Sequence, residues 1–181
     1  HDFGSGEVSF ALPRGLIVSC QARADNPLHG PMFMGVMALA ARDGGARGLR
    51  ANGPEDIRAV KGAGLPVIGI HKVFSDEYPV YITPDFDAAA AIVEAGAEIV
   101  ALDCTMRPRN GQNPEVLVRR IREELKAEVF ADISTFEEGL AAADWGATYV
   151  ATTLSGYTEY TEPKPAHPDI NLLEKLAQRL N

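Results

Sequence analysis

Short apolar, β-branched runs alternate along the chain with longer stretches in which apolar residues recur at helical spacing. The runs are GLIVS (15–19), ARGLR (46–50), PVIGI (66–70), EIVALD (98–103), EVFADI (128–133) and TYVATT (148–153). They are apolar on both faces, as parallel strands covered on either side are. Between them, Pro31 to Arg42 carries Met34, Met37, Ala38 and Ala41 at helical spacing, and Pro54 opens a helix at its favoured first-turn position. Pro84 to Ala95 is Ala-rich, and Pro114 to Lys126 sets Val116, Leu117, Ile121 and Leu125 opposite charged residues. Ser134 with Glu137 three residues on predicts a capping box, and Asp169 predicts the N-cap of the helix Ile170 to Leu180. Strand followed by helix throughout predicts an α/β fold on a parallel sheet.

Gly45-Ala46, Gly96-Ala97 and Gly146-Ala147 each close a helix and lead into a strand, at a period of 51 and then 50 residues. Two readings fit: duplication of a unit of two βα pairs, or the general use of glycine after a helix, where the left-handed conformation costs it nothing. The chain has no G-x-G-x-x-G and no P-loop. A parallel array of this kind without a dinucleotide fingerprint predicts a (β/α)8 TIM barrel, which takes roughly 250 residues. The 181 residues hold six βα units, about two fewer than a closed barrel, so residues 14–181 are expected to form one barrel domain incomplete at its C-terminal side. The segment HDFGSGEVSF reads as the start of a tag remnant or flexible lead over residues 1–13.

Composition narrows the class. Hydrophobic residues make up 46% and charged residues 23%, the balance of a soluble globular domain, and the net charge is −8. No basic stripe is present to displace counterions from nucleic acid, and no apolar run approaches the ~20 residues of a membrane span. The two cysteines, Cys20 and Cys104, are too few for a disulfide framework and fit the cytoplasm; their places in strand-like runs suggest small core residues. His1, His29, His71 and His167 lack metal-ligand spacing, and His71 should point away from its neighbour Lys72. Glu137-Glu138 reads as a solvated helix start and residues 162–168 as a loop.

Seven segments then carry a resemblance: LIVSCQA (16–22), PLHGPMFMGVMALAARDGGARGLRANG (27–53), PVIGIHK (66–72), YITP (81–84), IVALDCT (99–105), ADISTFEEG (131–139) and ATTLSGYT (151–158). In this order and spacing they resemble the N-acetylmannosamine-6-phosphate 2-epimerases of bacterial sialic-acid breakdown. The resemblance implies a ribulose-phosphate-binding type of TIM barrel and an isomerase interconverting N-acetylmannosamine 6-phosphate and N-acetylglucosamine 6-phosphate. It implies no metal or redox cofactor. The family pattern continues with a seventh strand bearing an acidic residue and an eighth bearing a Gly-rich phosphate loop. Six strands leave two open edges, so the fragment is expected to associate as a homodimer, with strand exchange as one route to it.

Inversion at carbon 2 needs a base of tuned pKa and stabilisation of the developing enolate. Lys72 follows the run Pro66–Ile70 at the end where barrel active sites lie, and apolar walls and nearby cations depress a lysine pKa. The resemblance assigns it as the catalytic acid/base; by position alone it could reach solvent or pair with a carboxylate. For the substrate side, the resemblance points to Arg50, Asp132 and Gln21, and also to Asp103. Arg50 would stabilise charge or pair with Asp103 or Asp132. Asp132 would orient Lys72, hold sugar hydroxyls, or cap the helix near Ser134. Gln21 suits a hydroxyl or the N-acetyl oxygen. Asp103 could equally serve a structural hydrogen bond, and T-L-S-G-Y-T (153–158) could line the site. The competing readings are another phosphate-binding barrel isomerase and a non-catalytic fragment of the same family.

Overall fold

The computed structural model describes residues 12–180; the expected N-terminal lead lies almost wholly outside them. Six strands form one parallel sheet in sequence order: β1 (Ile17–Cys20), β2 (Gly48–Asn52), β3 (Val67–Ile70), β4 (Ile99–Asp103), β5 (Glu128–Asp132) and β6 (Tyr149–Ala151). Six helices follow them in turn: α1 (Pro31–Asp43), α2 (Pro54–Val60), α3 (Phe86–Glu94), α4 (Pro114–Glu124), α5 (Phe136–Asp144) and α6 (Ile170–Arg179). Each expected strand is present, with its ends displaced by at most two residues.

The strands are apolar on both faces because each face has its own partner. On one side Leu49, Val67, Val100, Leu102 and Val129 pack beneath Met34, Ile57, Ile92, Leu117 and Ile121 of the helices. On the other, Ile68, Ile70, Ile99 and Ala101 pack with Ile82 and Leu154, joined by Leu12, Ile17, Phe130 and Tyr149. Residues of one strand alternate between the two clusters, as the two-residue period of a strand requires. The second cluster is the concave face of a curled sheet. The Leu12 amide donates to the Tyr149 hydroxyl at 2.8 Å, joining the chain before β1 to the far strand β6. On the convex face, Gly69 lets β3 and the helices approach: a Cβ there would lie 2.8 Å from Ala97 Cβ and 3.0 Å from Ile57 Cδ1.

The periodic glycines close three equivalent helix ends. Gly45, Gly96 and Gly146 have φ of 91°, 106° and 103°. At each, the amide of the following alanine returns five residues to a helix carbonyl, as in Ala46 N to Ala41 O, Ala97 N to Ile92 O and Ala147 N to Ala142 O. This is the left-handed glycine termination that turns a helix back toward its next strand.

Three local expectations need correction. Thr135, not Ser134, caps α5, and its capping-box partner is Glu138, not Glu137. Glu138 is therefore not solvated: it is 3% exposed, and one oxygen accepts the Ser134 and Thr135 amides and the Ser134 hydroxyl while the other accepts the Met106 amide. The third helix begins at Phe86 with Asp85 as its cap, because Thr83, at φ 45°, turns the chain just before Pro84. The caps at Asn113 and Asp169 each accept the third amide of their helix.

Candidate active site

A cavity of about 280 Å³ opens at the C-terminal ends of the strands, where parallel βα folds gather their loops. Gln21 after β1, Arg50 in β2 and Lys72 after β3 line it. Opposite stand Arg107 after β4 and Thr153, Leu154 and Tyr157 after β6. Three of the five site residues expected from sequence thus share one cavity, and the 153–158 segment supplies part of its wall. Asp132 and Asp103 do not line it; each lies behind an arginine that does.

Lys72 is held by its backbone. Its amide donates to Asn52 Oδ1 at 2.9 Å, and residues 71–73 run antiparallel to 81–83 through Val73 N to Tyr81 O and Thr83 N to His71 O, both 2.9 Å. This short ribbon, past the end of β3, also brings Tyr81 and Ile82 to the cavity wall. The Lys72 amine is pushed below the ordinary lysine range, first by burial and then by the positive charges of Arg50 and Arg23. Among the described residues it has no carboxylate partner within ion-pair distance.

Arg50 and Asp132 form a forked ion pair, Nη1 to Oδ1 at 3.0 Å and Nη2 to Oδ2 at 2.5 Å. Asp132 is fully buried and Arg50 14% exposed, so the pair lies largely out of water. The Thr153 hydroxyl adds a 2.6 Å bond to Oδ1, and the Arg50 guanidinium carbon lies 5.6 Å from the Phe130 ring centre. The reading of Asp132 as a helix cap fails, since Thr135 performs that role. Gln21 donates from Nε2 to Ser19 Oγ at 2.8 Å, leaving its buried Oε1 without a partner.

Asp103 is 1% exposed. Its Oδ1 accepts the Thr105 amide at 2.9 Å and the Thr105 hydroxyl at 2.6 Å, and its Oδ2 accepts Arg107 Nη2 at 2.5 Å. It reaches the cavity only through Arg107, a lining residue absent from the expected set. The signal was present: T-M-R-P-R-N directly follows a strand that ends at the barrel mouth. Cys20 and Cys104 are buried and unpaired, and burial raises both thiols, strongly at Cys104, which leaves neither a ready nucleophile. His71 is partly buried, with Nδ1 unpartnered. Among the described residues no helix is long and apolar enough to cross a membrane.

A family model described as "Putative N-acetylmannosamine-6-phosphate epimerase" matches residues 34–180. A relative named "Putative N-acetylmannosamine-6-phosphate 2-epimerase", from Caldanaerobacter subterraneus subsp. tengcongensis, is 47% identical over 173 residues, covering 94% of this chain and 73% of the relative. Its namesake from Synechococcus elongatus is 48% identical over 172 residues, covering 93% of this chain and 74% of that protein. The solved structure of the N-acetylmannosamine-6-phosphate 2-epimerase from Clostridium perfringens aligns at a TM-score of 0.86 and 43% identity, over 91% of this chain and 72% of that one.

Proposed function

Because the chain belongs to the N-acetylmannosamine-6-phosphate epimerase family, with six βα units of its (β/α)8 barrel present, we propose that this cavity inverts carbon 2 of N-acetylmannosamine 6-phosphate to give N-acetylglucosamine 6-phosphate. It is an isomerase of amino-sugar breakdown, in the route that consumes sialic acid. The single observation that carries the reading is Lys72: an amine of depressed pKa facing an apolar and cationic cavity, without a carboxylate to hold its proton.

In the open-chain sugar, carbon 2 lies beside the aldehyde. The neutral Lys72 amine takes the carbon 2 proton, and the electron pair of that C–H bond moves toward the C1 oxygen. A solvent-derived proton delivered to the opposite face restores the aldehyde with inverted configuration, and Lys72 releases the proton it took to solvent. Arg50, fixed by Asp132, holds positive charge near the base, which favours the neutral form of the amine and counters the enolate. The bare Gln21 Oε1 accepts a substrate hydroxyl or amide N–H. The required chemistry is proton transfer, so no redox group has a part in this reading. The same proposal places the protein in the cytoplasm, in keeping with its free cysteines, and as a homodimer, which sedimentation tests directly.

The test is proton NMR of the protein with N-acetylmannosamine 6-phosphate in heavy water. Appearance of the 2-epimer with deuterium at carbon 2 supports the reading. Conversion without deuterium incorporation at any time would count against proton exchange with solvent, and absence of both would sink it.

A further inference from the structure

Asp103 and Asp132 are register partners on adjacent strands, and their surroundings match. Each is buried, each accepts a threonine hydroxyl on Oδ1 at 2.6 Å, and each holds an arginine Nη2 on Oδ2 at 2.5 Å. In both cases the carboxylate lies behind the wall and the guanidinium lines the cavity. Arg107 is fixed further by Nε, which donates to Thr105 Oγ1 at 3.1 Å. Its loop is anchored below by Arg109, whose Nη1 and Nη2 donate to the carbonyls of Asp103 and Thr105, both at 2.6 Å, and behind by Glu138 on the Met106 amide. Arg107 Nη1 donates to none of the described residues. The cavity wall therefore presents Arg50, Lys72 and Arg107 with no carboxylate among its lining residues. Two guanidiniums held from behind on the wall of one open cavity, with N–H groups left over, are built to receive an oxyanion.

We propose that Arg107 is a second substrate-binding guanidinium of this cavity, taking an anionic oxygen of the ligand, with Asp103 as the residue that positions it. The proposal rests on the epimerase reading for the identity of that ligand. The oxyanion has two sources: the phosphate, charged before reaction, or the C1 oxygen, charged only as the carbon 2 proton leaves.

Calorimetric titration with inorganic phosphate and with N-acetylmannosamine 6-phosphate, beside the deuterium-exchange rate, separates them for Arg107→Leu, Arg107→Lys and Asp103→Asn. If the phosphate is the source, Arg107→Leu weakens both ligands by about tenfold or more. If the C1 oxygen is, ligand binding holds and exchange falls by about tenfold or more. In either case Arg107→Lys recovers part of the loss, and Asp103→Asn moves the same quantity as Arg107→Leu to a lesser degree. Binding and exchange both within about twofold of wild type, with or without a lower melting temperature, overturn the proposal. A wild-type protein that binds these ligands but exchanges no deuterium defeats the epimerase reading alone, and the binding change then decides for or against Arg107. A wild type that does neither counts against both.

Discussion

Arg50 and Asp132 are 82 residues apart in sequence, yet they meet through two hydrogen bonds across the concave face of the sheet. The contact joins β2 to β5 at the level of the cavity, and it converts a buried carboxylate from a liability into a mount. Removing the arginine leaves Asp132 fully buried with one hydroxyl partner, Thr153. Arg50→Met is therefore expected to lose about 3–5 kcal/mol of stability, against a smaller loss for Arg50→Met combined with Asp132→Leu. Urea unfolding of the two variants checks this; equal losses would show that the orphaned charge is not the cause.

Exchange at carbon 2 should depend on the free amine of Lys72. Its ammonium form ionises below the usual lysine range, so the rate rises with pH through that lowered value and then levels. Arg50 is one of the charges that lower it. Arg50→Met raises the Lys72 pKa and moves the rising limb to higher pH, whereas Arg50→Lys, which keeps the charge, moves it less. Lys72→Met should reduce exchange by about 10²–10⁴-fold while leaving phosphate binding in place. A pH–rate profile for each variant decides, and an unmoved limb in Arg50→Met refutes the electrostatic account.

Two glycines that look alike in sequence should differ under the same change. Gly69→Ala sets a methyl 2.8 Å from Ala97 Cβ and 3.0 Å from Ile57 Cδ1, between a strand and its helix layer, and should cost about 1–3 kcal/mol. Gly139→Ala meets the Leu176 side-chain tip at 2.5 Å, which a rotamer change relieves. Thermal melting should place Gly69→Ala clearly below Gly139→Ala.

Glu138 links two loops of the cavity mouth through a single carboxylate. Glu138→Leu orphans the amides of Met106, Ser134 and Thr135, and is expected to lose roughly 1–3 kcal/mol for each that stays buried and unsatisfied, less than additively. Glu138→Gln, which keeps one acceptor, should fall between. Amide hydrogen exchange at Met106 and Ser134 reports the loss locally; unchanged protection there would contradict the link.

Most of the strand and helix order is legible in the sequence because burial on both faces and glycine helix ends are local signals. Asp169 as a cap and the three periodic glycines are legible for the same reason. The assignment of Ser134 and Glu137 as the capping box misses by one residue because Thr135-x-x-Glu138 satisfies the same pattern, and only the buried position of Glu138, beneath the Met106 amide, distinguishes them. Within the site, Gln21 and Lys72 are marked by their places just past strand ends, whereas Arg50, which closes the expected run 46–50, lies inside β2. Which aspartate would hold which arginine is not: Asp103 and Asp132 occupy the same level on neighbouring strands, and the choice is made by the four-residue reach from Asp103 to Arg107 in the β4–α4 loop against the span across the sheet. Arg107 is only weakly marked by the sequence, since loop arginines are ordinarily solvated; its fixed position comes from Thr105 and Asp103 together.

The strands stand side by side in the order in which a ribosome makes them. Every new strand thus emerges to find its neighbour already synthesised, and sheet growth waits for nothing downstream. The exceptions are the spans that cross the concave face, Leu12 to Tyr149 and Arg50 to Asp132, whose later members come more than 80 residues after the earlier ones. Arg50 consequently spends part of its early life without its counter-ion, and the charge arrangement around Lys72 waits on the synthesis of β5.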